Sequence, residues 1–450
     1  MRTLSEAALA LASFRTTARE LVETSLARIA DPAGEGARTF IKVYADQARA
    51  SADAIDALRR AGRAPGPFAG IPISLKDLLD VAGETTTAGS IVLANEPPAA
   101  AHATLVQRLL SAGLIPIGRT NMTEFAFSGV GINPHYGTPR SPYGRDPNDP
   151  SVGHIPGGSS SGAGVSVADG HALAAIGTDT GGSCRIPAAF SGVVGYKPTA
   201  RRVPVQGVLP LSPTLDSVGP LANTVSCCAA IDAILAGEDF AGVAARPADT
   251  LRIAIPANAV LDGLDAPTER AIDRAVQRLD RAGVRIDRPY FKTFDLIAQS
   301  HAKGGFAVVE AYAWHRDLLA RDAARYDPRV ANRILPGAAM MAADYVALVQ
   351  ARARIIGVFA REMAGYDALM MPTVVIAPPP IAAFGPEEAY WRLNGLILRN
   401  TAPINFLDGC AISLPCHAAG EPPAGLMLAS VAGGDRGLFE VAQAVEGTLK

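Results

Sequence analysis

Lysine is nearly missing from this 450-residue chain: of its 41 basic residues only six are lysine, at positions 42, 76, 197, 292, 303 and 450. Cysteine is also scarce, and the five present (Cys184, Cys227, Cys228, Cys410, Cys416) make no C-x-x-C spacing, so they read as small core residues of a reducing compartment rather than a disulfide framework. A formal net charge of -2 leaves no basic surface to neutralise phosphates, which excludes nucleic acid as a direct partner. No apolar run reaches the roughly 18 uninterrupted residues that span a bilayer. The seven histidines (102, 135, 154, 171, 301, 315 and 417) form no H-x-H or H-E-x-x-H pair and none sits beside a cysteine at ligand spacing, so no metal is expected. The P-loop pattern is absent too, since GVVGYK at 192–197 is followed by proline; no nucleotide or other cofactor is expected.

What the chain does have is apolar mass and turns. Hydrophobic residues make up 49%, and 44 glycines and 34 prolines are spread along the whole length, the composition of a compact protein with many ordered turns. LSEAALALASF and TTARELVETSLARIA carry apolar residues at helical spacing, with Thr16 or Thr17 as the cap of the second, which predicts two helices over about 3–30. Glu6 interrupts the first apolar stretch, so it reads as a helix and not a secretion leader, and the protein is expected in the cytoplasm.

From about Phe68 the texture alternates between short apolar runs and helices: GIPISLKDLL, HATLVQRLLSAG, LIPIGRT, then ALAAIGTD, VVGYKP, LRIAIP, TERAIDRAVQRLDRAG, ALMMPTV, GLMLAS and a last helix from about Gly437. That alternation predicts an α/β fold. No internal repeat or low-complexity linker divides the chain, and residues 241–250, the best linker candidate, have strands on both sides; the expectation is one domain over 1–450.

Two polar segments stand out against apolar neighbours. GTDTGGSCRIPAAF (177–190) sets Thr178, Asp179, Thr180, Ser183, Cys184 and Arg185 among glycines, and HIPGGSSSGAGVSVADG (154–170) reads as a tight loop feeding a helix with free N–H groups. The second segment also satisfies G-x-S-x-G with Ser160 as nucleophile, but that elbow needs a strand before it. His301, His315 and His417, which follow, have no distinctive context. No histidine lies close to the serines, so a base must be sought elsewhere. Lys76 sits in the apolar run GIPISLKDLL; burial can drive a lysine neutral, whereas arginine keeps its proton. The alternative is a structural lysine paired with Asp77. Lys197, in GYKPT, carries the same ambiguity.

Together, the strand with Lys76, the GGSSSG loop at 157–162 and GTDTGGSCRIPA at 177–188 resemble the amidase signature family, as do GRTNMTEFAFSG at 118–129, HYGTP at 135–139 and GVVGYKPT at 192–199. The resemblance is concentrated in a signature core of about 68–219. It implies a twisted mixed β-sheet covered by α-helices and a Ser-cisSer-Lys triad. Ser183 would be the nucleophile, Ser159 the bridging serine preceding an unusual cis peptide bond, and Lys76 the base. The N–H groups of Thr180, Gly181, Gly182 and Ser183 would form the oxyanion hole, Asp179 and Arg185 a buried pair holding the loop, and Thr178 a hydroxyl orienting the lysine. Cys184 competes with Ser183 for the nucleophile's place but lies one residue beyond it. Ser161 and Ser141-Pro142 depart from commoner family forms, outside the triad.

The function so implied is hydrolysis of a carboxamide C–N bond to a carboxylic acid and ammonia or an amine, without metal or cofactor, on a small-molecule substrate and in a homodimer. The competing readings are the glutamine-hydrolysing component of a tRNA-dependent amidotransferase and a non-enzymatic binding or scaffold module. Substrate contacts are sought at Tyr136, Trp314, Trp391, Arg399 and the stretch RNTAPINFLDGC (399–410), with Arg399 a receiver for a substrate carboxylate or a surface ion pair.

Overall fold

A computed structural model describes residues 1–146, 149, 151–258 and 260–450. Eleven strands form its sheet: β1 Phe40–Val43, β2 Pro72–Lys76, β3 Ile115–Thr120, β4 Ala174–Asp179, β5 Val194–Lys197, β6 Ser217–Ala222, β7 Arg252–Ala254, β8 Arg285–Asp287, β9 Ala368–Pro372, β10 Cys410–Pro415 and β11 Gly425–Ser430. Their spatial order is β1-β3-β2-β4-β6-β5-β10-β11-β9-β7-β8, with parallel and antiparallel pairs mixed. Helices flank this sheet in a single-domain α/β fold. Every residue of β2, β4, β6 and β9 is buried, which is why β2, β4 and β9 read in sequence as short, largely apolar runs rather than alternating ones.

The N-terminal helices are Leu4–Ala12 and Ala18–Ala30, and both begin with a capping box: Thr3 with Glu6, and Thr17 with Glu20. Thr17, of the two candidates, is therefore the cap.

β6 went unread in the sequence because SVGPLA contains a glycine and a proline, which normally argue against a central strand. It nonetheless pairs with β4 along its whole length. On its other side the ladder to β5 covers only Ala222 and Leu221 and stops before Pro220, as suits a residue with no N–H to give. Gly219 is required there, since a Cβ would lie 2.0 Å from the Tyr196 carbonyl oxygen.

The topology positions the site. β2 and β4 are parallel and in register, Leu75 opposite Ile176, so their C-terminal ends, Lys76 and Asp179, emerge on the same edge of the sheet. Ligands of open α/β sheets bind beyond such carboxyl ends.

Candidate active site

Lys76 ends β2 fully buried, and its Nζ donates to Ser159 Oγ at 2.7 Å and to Thr178 Oγ1 at 2.8 Å. No carboxylate lies within ion-pair distance of it among the described residues. Asp77 instead accepts from Arg119 Nε at 2.5 Å and from the Gly89 N–H at 3.0 Å, which overturns the Lys76–Asp77 pairing. Burial, opposed only in part by the negative charges of Asp179 and Asp216, pushes the Lys76 ammonium down to about 7. Lys197 resolves differently: its Nζ donates to the carbonyls of Pro198 and Gly409, both at 2.6 Å, away from the serines.

Ser159 lies in the coil that leads into the helix Ser161–Ala168. The cis peptide bond is Gly158–Ser159, so it precedes Ser159; the resemblance had placed it after that serine. Three main-chain bonds fix the segment: Gly158 N–H to Gly129 O at 2.8 Å, Thr123 N–H to Ser159 O at 3.0 Å, and Ser160 N–H to Ser183 O at 3.3 Å. The last of these joins the two polar segments directly. Gly158 admits no side chain, because a Cβ would lie 2.6 Å from the Gly131 nitrogen.

The turn after β4 wraps around its own carboxylate. Asp179 accepts from Gly182 N–H (2.8 Å), Cys184 N–H (3.1 Å), Arg185 Nε (2.9 Å), Arg185 Nη2 (2.8 Å) and Asn405 Nδ2 (3.0 Å). Both members of the Asp179–Arg185 pair are fully buried, and although burial opposes it, the guanidinium charge holds the carboxyl far below its usual range. Arg185 also donates to Thr401 O and Asn405 Oδ1, and Thr401 Oγ1 donates to Gly181 O at 2.6 Å. The loop therefore hangs on a network whose remote half, Thr401 and Asn405, lies some 220 residues downstream. Gly182 takes φ +137°, and a Cβ there would strike Thr401. Its N–H is given to Asp179, whereas the N–H groups of Thr180, Gly181 and Ser183 make no hydrogen bond among the described residues.

Ser183, Gly181 and Thr180 line a cavity of about 430 Å³. Its other walls are mostly apolar, with Phe127, Leu215, Phe306, Leu398 and Phe406 among them. Arg399 lines this cavity, whereas Tyr136 does not: its N–H is bound to Asn133 Oδ1, away from the cavity wall. Trp314 packs against Phe125 and His315, and Trp391 donates to Glu387, so neither tryptophan lines the cavity. Cys184 is buried with its thiol toward Gly219 O, and burial pushes that thiol well up; it is not exposed to the cavity.

The alternative built on Ser160 finds no partner. Ser160 Oγ donates to Thr178 O, coil rather than a strand precedes it, His315 is bound to Tyr326, His301 to Ile297 O, and His417 to Ala424. Among the described residues no three histidine, cysteine, aspartate or glutamate side chains cluster to hold a metal.

Sequence reasoning missed Arg333, which lines the cavity, and Asp216, which accepts Thr180 Oγ1 and the N–H groups of Leu211 and Ser212. Nothing in PTLDSVGP or VANRILPG sets these two residues apart. Burial raises Asp216 to about 6.

A family model described as Amidase matches residues 20–439. The chain is 37% identical to 2-amino-5-chloromuconic acid deaminase of Comamonas testosteroni over 410 residues, 90% of this chain and 87% of that one. It is 34% identical to the A component of the glutamyl-tRNA(Gln) amidotransferase of Synechococcus sp. (strain RCC307), covering 97% of this chain and 95% of the other. Among solved structures, the crystal structure of an amidase superposes with a TM-score of 0.88 at 31% identity, over the whole of both chains.

Proposed function

The chain belongs to the amidase family and is a hydrolase of amide C–N bonds, and from that premise we propose that Ser183, Ser159 and Lys76 carry the reaction. The observation that supports this most is the buried Lys76 Nζ, 2.7 Å from Ser159 Oγ and with no carboxylate partner among the described residues. A lysine whose ammonium is lowered to about 7 is half neutral at physiological pH and can accept a proton.

Ser183 Oγ attacks the amide carbonyl carbon as its proton moves to Ser159 Oγ, which gives its own to neutral Lys76. The carbonyl oxygen becomes an oxyanion, received by the free N–H groups of the turn at Gly181 and Ser183, with Thr180 beside them. Each such donor is worth about 3–4 kcal/mol in the transition state. Collapse breaks the C–N bond, with the proton returned from Lys76 through Ser159 to the leaving nitrogen. Water then cleaves the Ser183 ester by the same relay and releases a carboxylic acid. Thr178 holds the lysine amine toward Ser159, and the Asp179–Arg185 pair keeps the donors aimed. The five unpaired cysteines, four of them buried, support a reducing compartment, the cytoplasm.

The test is product analysis with the purified chain and a panel of aliphatic, aromatic and ureido amides. Equimolar ammonia and carboxylic acid, with the corresponding hydroxamate formed when hydroxylamine is added, is the expected result; absence of both across the panel contradicts it. A second reading, the glutamine-hydrolysing component of an amidotransferase, is favoured by the similarity to the Synechococcus relative. Hydrolysis of other amides by the chain alone, without a partner or ATP, counts against that reading.

A further inference from the structure

We propose that the cavity beside Ser183 is built for an amide whose acyl part carries two carboxylates, one received by Arg333 and the other by Arg399. The proposal rests on Ser183 marking the reaction centre, and it adds the substrate class.

Two arginines from different parts of the fold line this one cavity, Arg333 from the helix Pro328–Ile334 and Arg399 from the end of the helix Glu387–Leu398. Among the described residues no aspartate or glutamate lines it. Arg333 donates Nη1 to Phe127 O at 3.1 Å and stacks on the Phe127 ring, 4.6 Å from its centroid. Arg399 gives one nitrogen to the main-chain oxygen of Asp262, while its buried Nε has no partner among the described residues. Among those residues, too, no carboxylate lies within 4.0 Å of either guanidinium. The surface ion pair considered for Arg399 is therefore not formed.

The buried guanidiniums of this chain are neutralised, Arg119 by Asp77, Arg140 by Glu35 and Arg185 by Asp179, whereas Arg333 and Arg399 are half-buried and line the cavity. An unpaired cation in an apolar pocket is costly to desolvate, and a protein keeps one where a ligand supplies the counter-charge. Two such cations call for two negative charges, and the planar fork of arginine fits a carboxylate in bidentate fashion. Burial lowers both guanidiniums from their usual range, opposed in part by Tyr390 at Arg333 and by the negative charge of Asp262 at Arg399. The cavity's apolar walls, Leu215, Phe306 and Phe406 among others, suit a short hydrocarbon spacer. His301, which lines the same cavity with Nδ1 bound to Ile297 O, leaves Nε2 as a further polar contact.

The test measures binding rather than turnover, so that it stands apart from the serine mechanism. Calorimetric titration of the full chain with succinate, glutarate and adipate is compared with butyrate, in wild type, Arg333→Gln, Arg399→Gln and the double variant. At least one dicarboxylate is expected to bind ten-fold or more tighter than butyrate. Each single substitution should bring that ligand to butyrate's level, and Arg→Lys at either position should recover part of the loss. Labelling of the variants by a fluorophosphonate reports that they are folded. Dicarboxylates no tighter than butyrate, or variants within two-fold of wild type, overturn the proposal even where amide hydrolysis is intact. Conversely, tight dicarboxylate binding in a chain whose label is not on Ser183 upholds the two-arginine dicarboxylate site and overturns the serine mechanism it was built beside.

Discussion

Lys76 Nζ and Ser159 Oγ lie 2.7 Å apart, 83 residues distant in sequence and both fully buried. In the proposed mechanism this contact takes the place of the histidine that a serine hydrolase ordinarily brings to its nucleophile, and on that proposal it sets the pH behaviour. The base is competent only when neutral, so kcat/KM should rise with pH through about 7, the range to which burial lowers Lys76. Lys76→Arg cannot release its proton and should lose at least 10²-fold at every pH. An acid limb unchanged in the residual activity of that variant contradicts the assignment.

The same lysine predicts a stability effect of opposite sign. Its folded pKa lies below the unfolded value near 10.4, so between about 7 and 10 the unfolded chain binds more protons and stability gains as pH rises. Below about 7 the full cost of burying the ammonium is present. Lys76→Met should therefore raise Tm, more at pH 6 than at pH 10, while abolishing activity. Thermal unfolding at the two pH values checks this, and a variant less stable at pH 6 than at pH 10 relative to wild type refutes it.

Asp179 and Arg185 hold the turn after β4, and breaking one side strands a buried charge. Arg185→Met should cost about 3–5 kcal/mol, the range for removing one partner of a buried pair. Urea unfolding measures it. Thr401→Val, which removes the Oγ1 bonds to Gly181 O and Leu398 O, should cost about 1 kcal/mol and lower kcat more than it alters KM.

Cys184 and Ser183 are neighbours with different fates. The Cys184 thiol is buried and held protonated, so Cys184→Ala should keep activity within about five-fold, and iodoacetamide should not modify this cysteine in the native protein. Loss of activity on alkylation at Cys184 alone would reverse that reading.

Asp216 ties the turn after β4 to the 211–215 loop through Thr180 and two backbone donors. Asp216→Asn replaces an acceptor with a donor and should lower kcat about ten-fold with the nucleophile still present, a loss of roughly 1.4 kcal/mol. Steady-state kinetics with one amide decides whether kcat or KM carries the change.

The elements that were legible in sequence are those whose pattern is local. β2, β3, β4 and β9 are buried apolar runs bounded by turns, and the helix Ala266–Arg281 has strong 3.6-residue periodicity, so each lies close to where it was expected. β8, with only three residues, and β6, with its proline, carry too little local pattern to be read. In the site, Lys76 was conspicuous because the chain uses so few lysines, and the Asp179–Arg185 pair because both charges sit in an apolar context. That Arg119 takes Asp77 away from Lys76 is a tertiary fact, the partners being 42 residues apart in sequence. Arg333 likewise reaches the cavity only through folding, from a segment whose composition is ordinary, whereas Thr401 and Asn405 lie in the 399–410 stretch singled out in sequence, although no spacing rule there connects them to Asp179 and Arg185.

The central claim is that Ser183 attacks the amide carbon, and intact mass spectrometry after fluorophosphonate treatment tests it most directly. One phosphonyl adduct per chain is expected on wild type, faster as pH rises through about 7, and none on Ser183→Ala. An adduct of the same stoichiometry retained in Ser183→Ala contradicts the account.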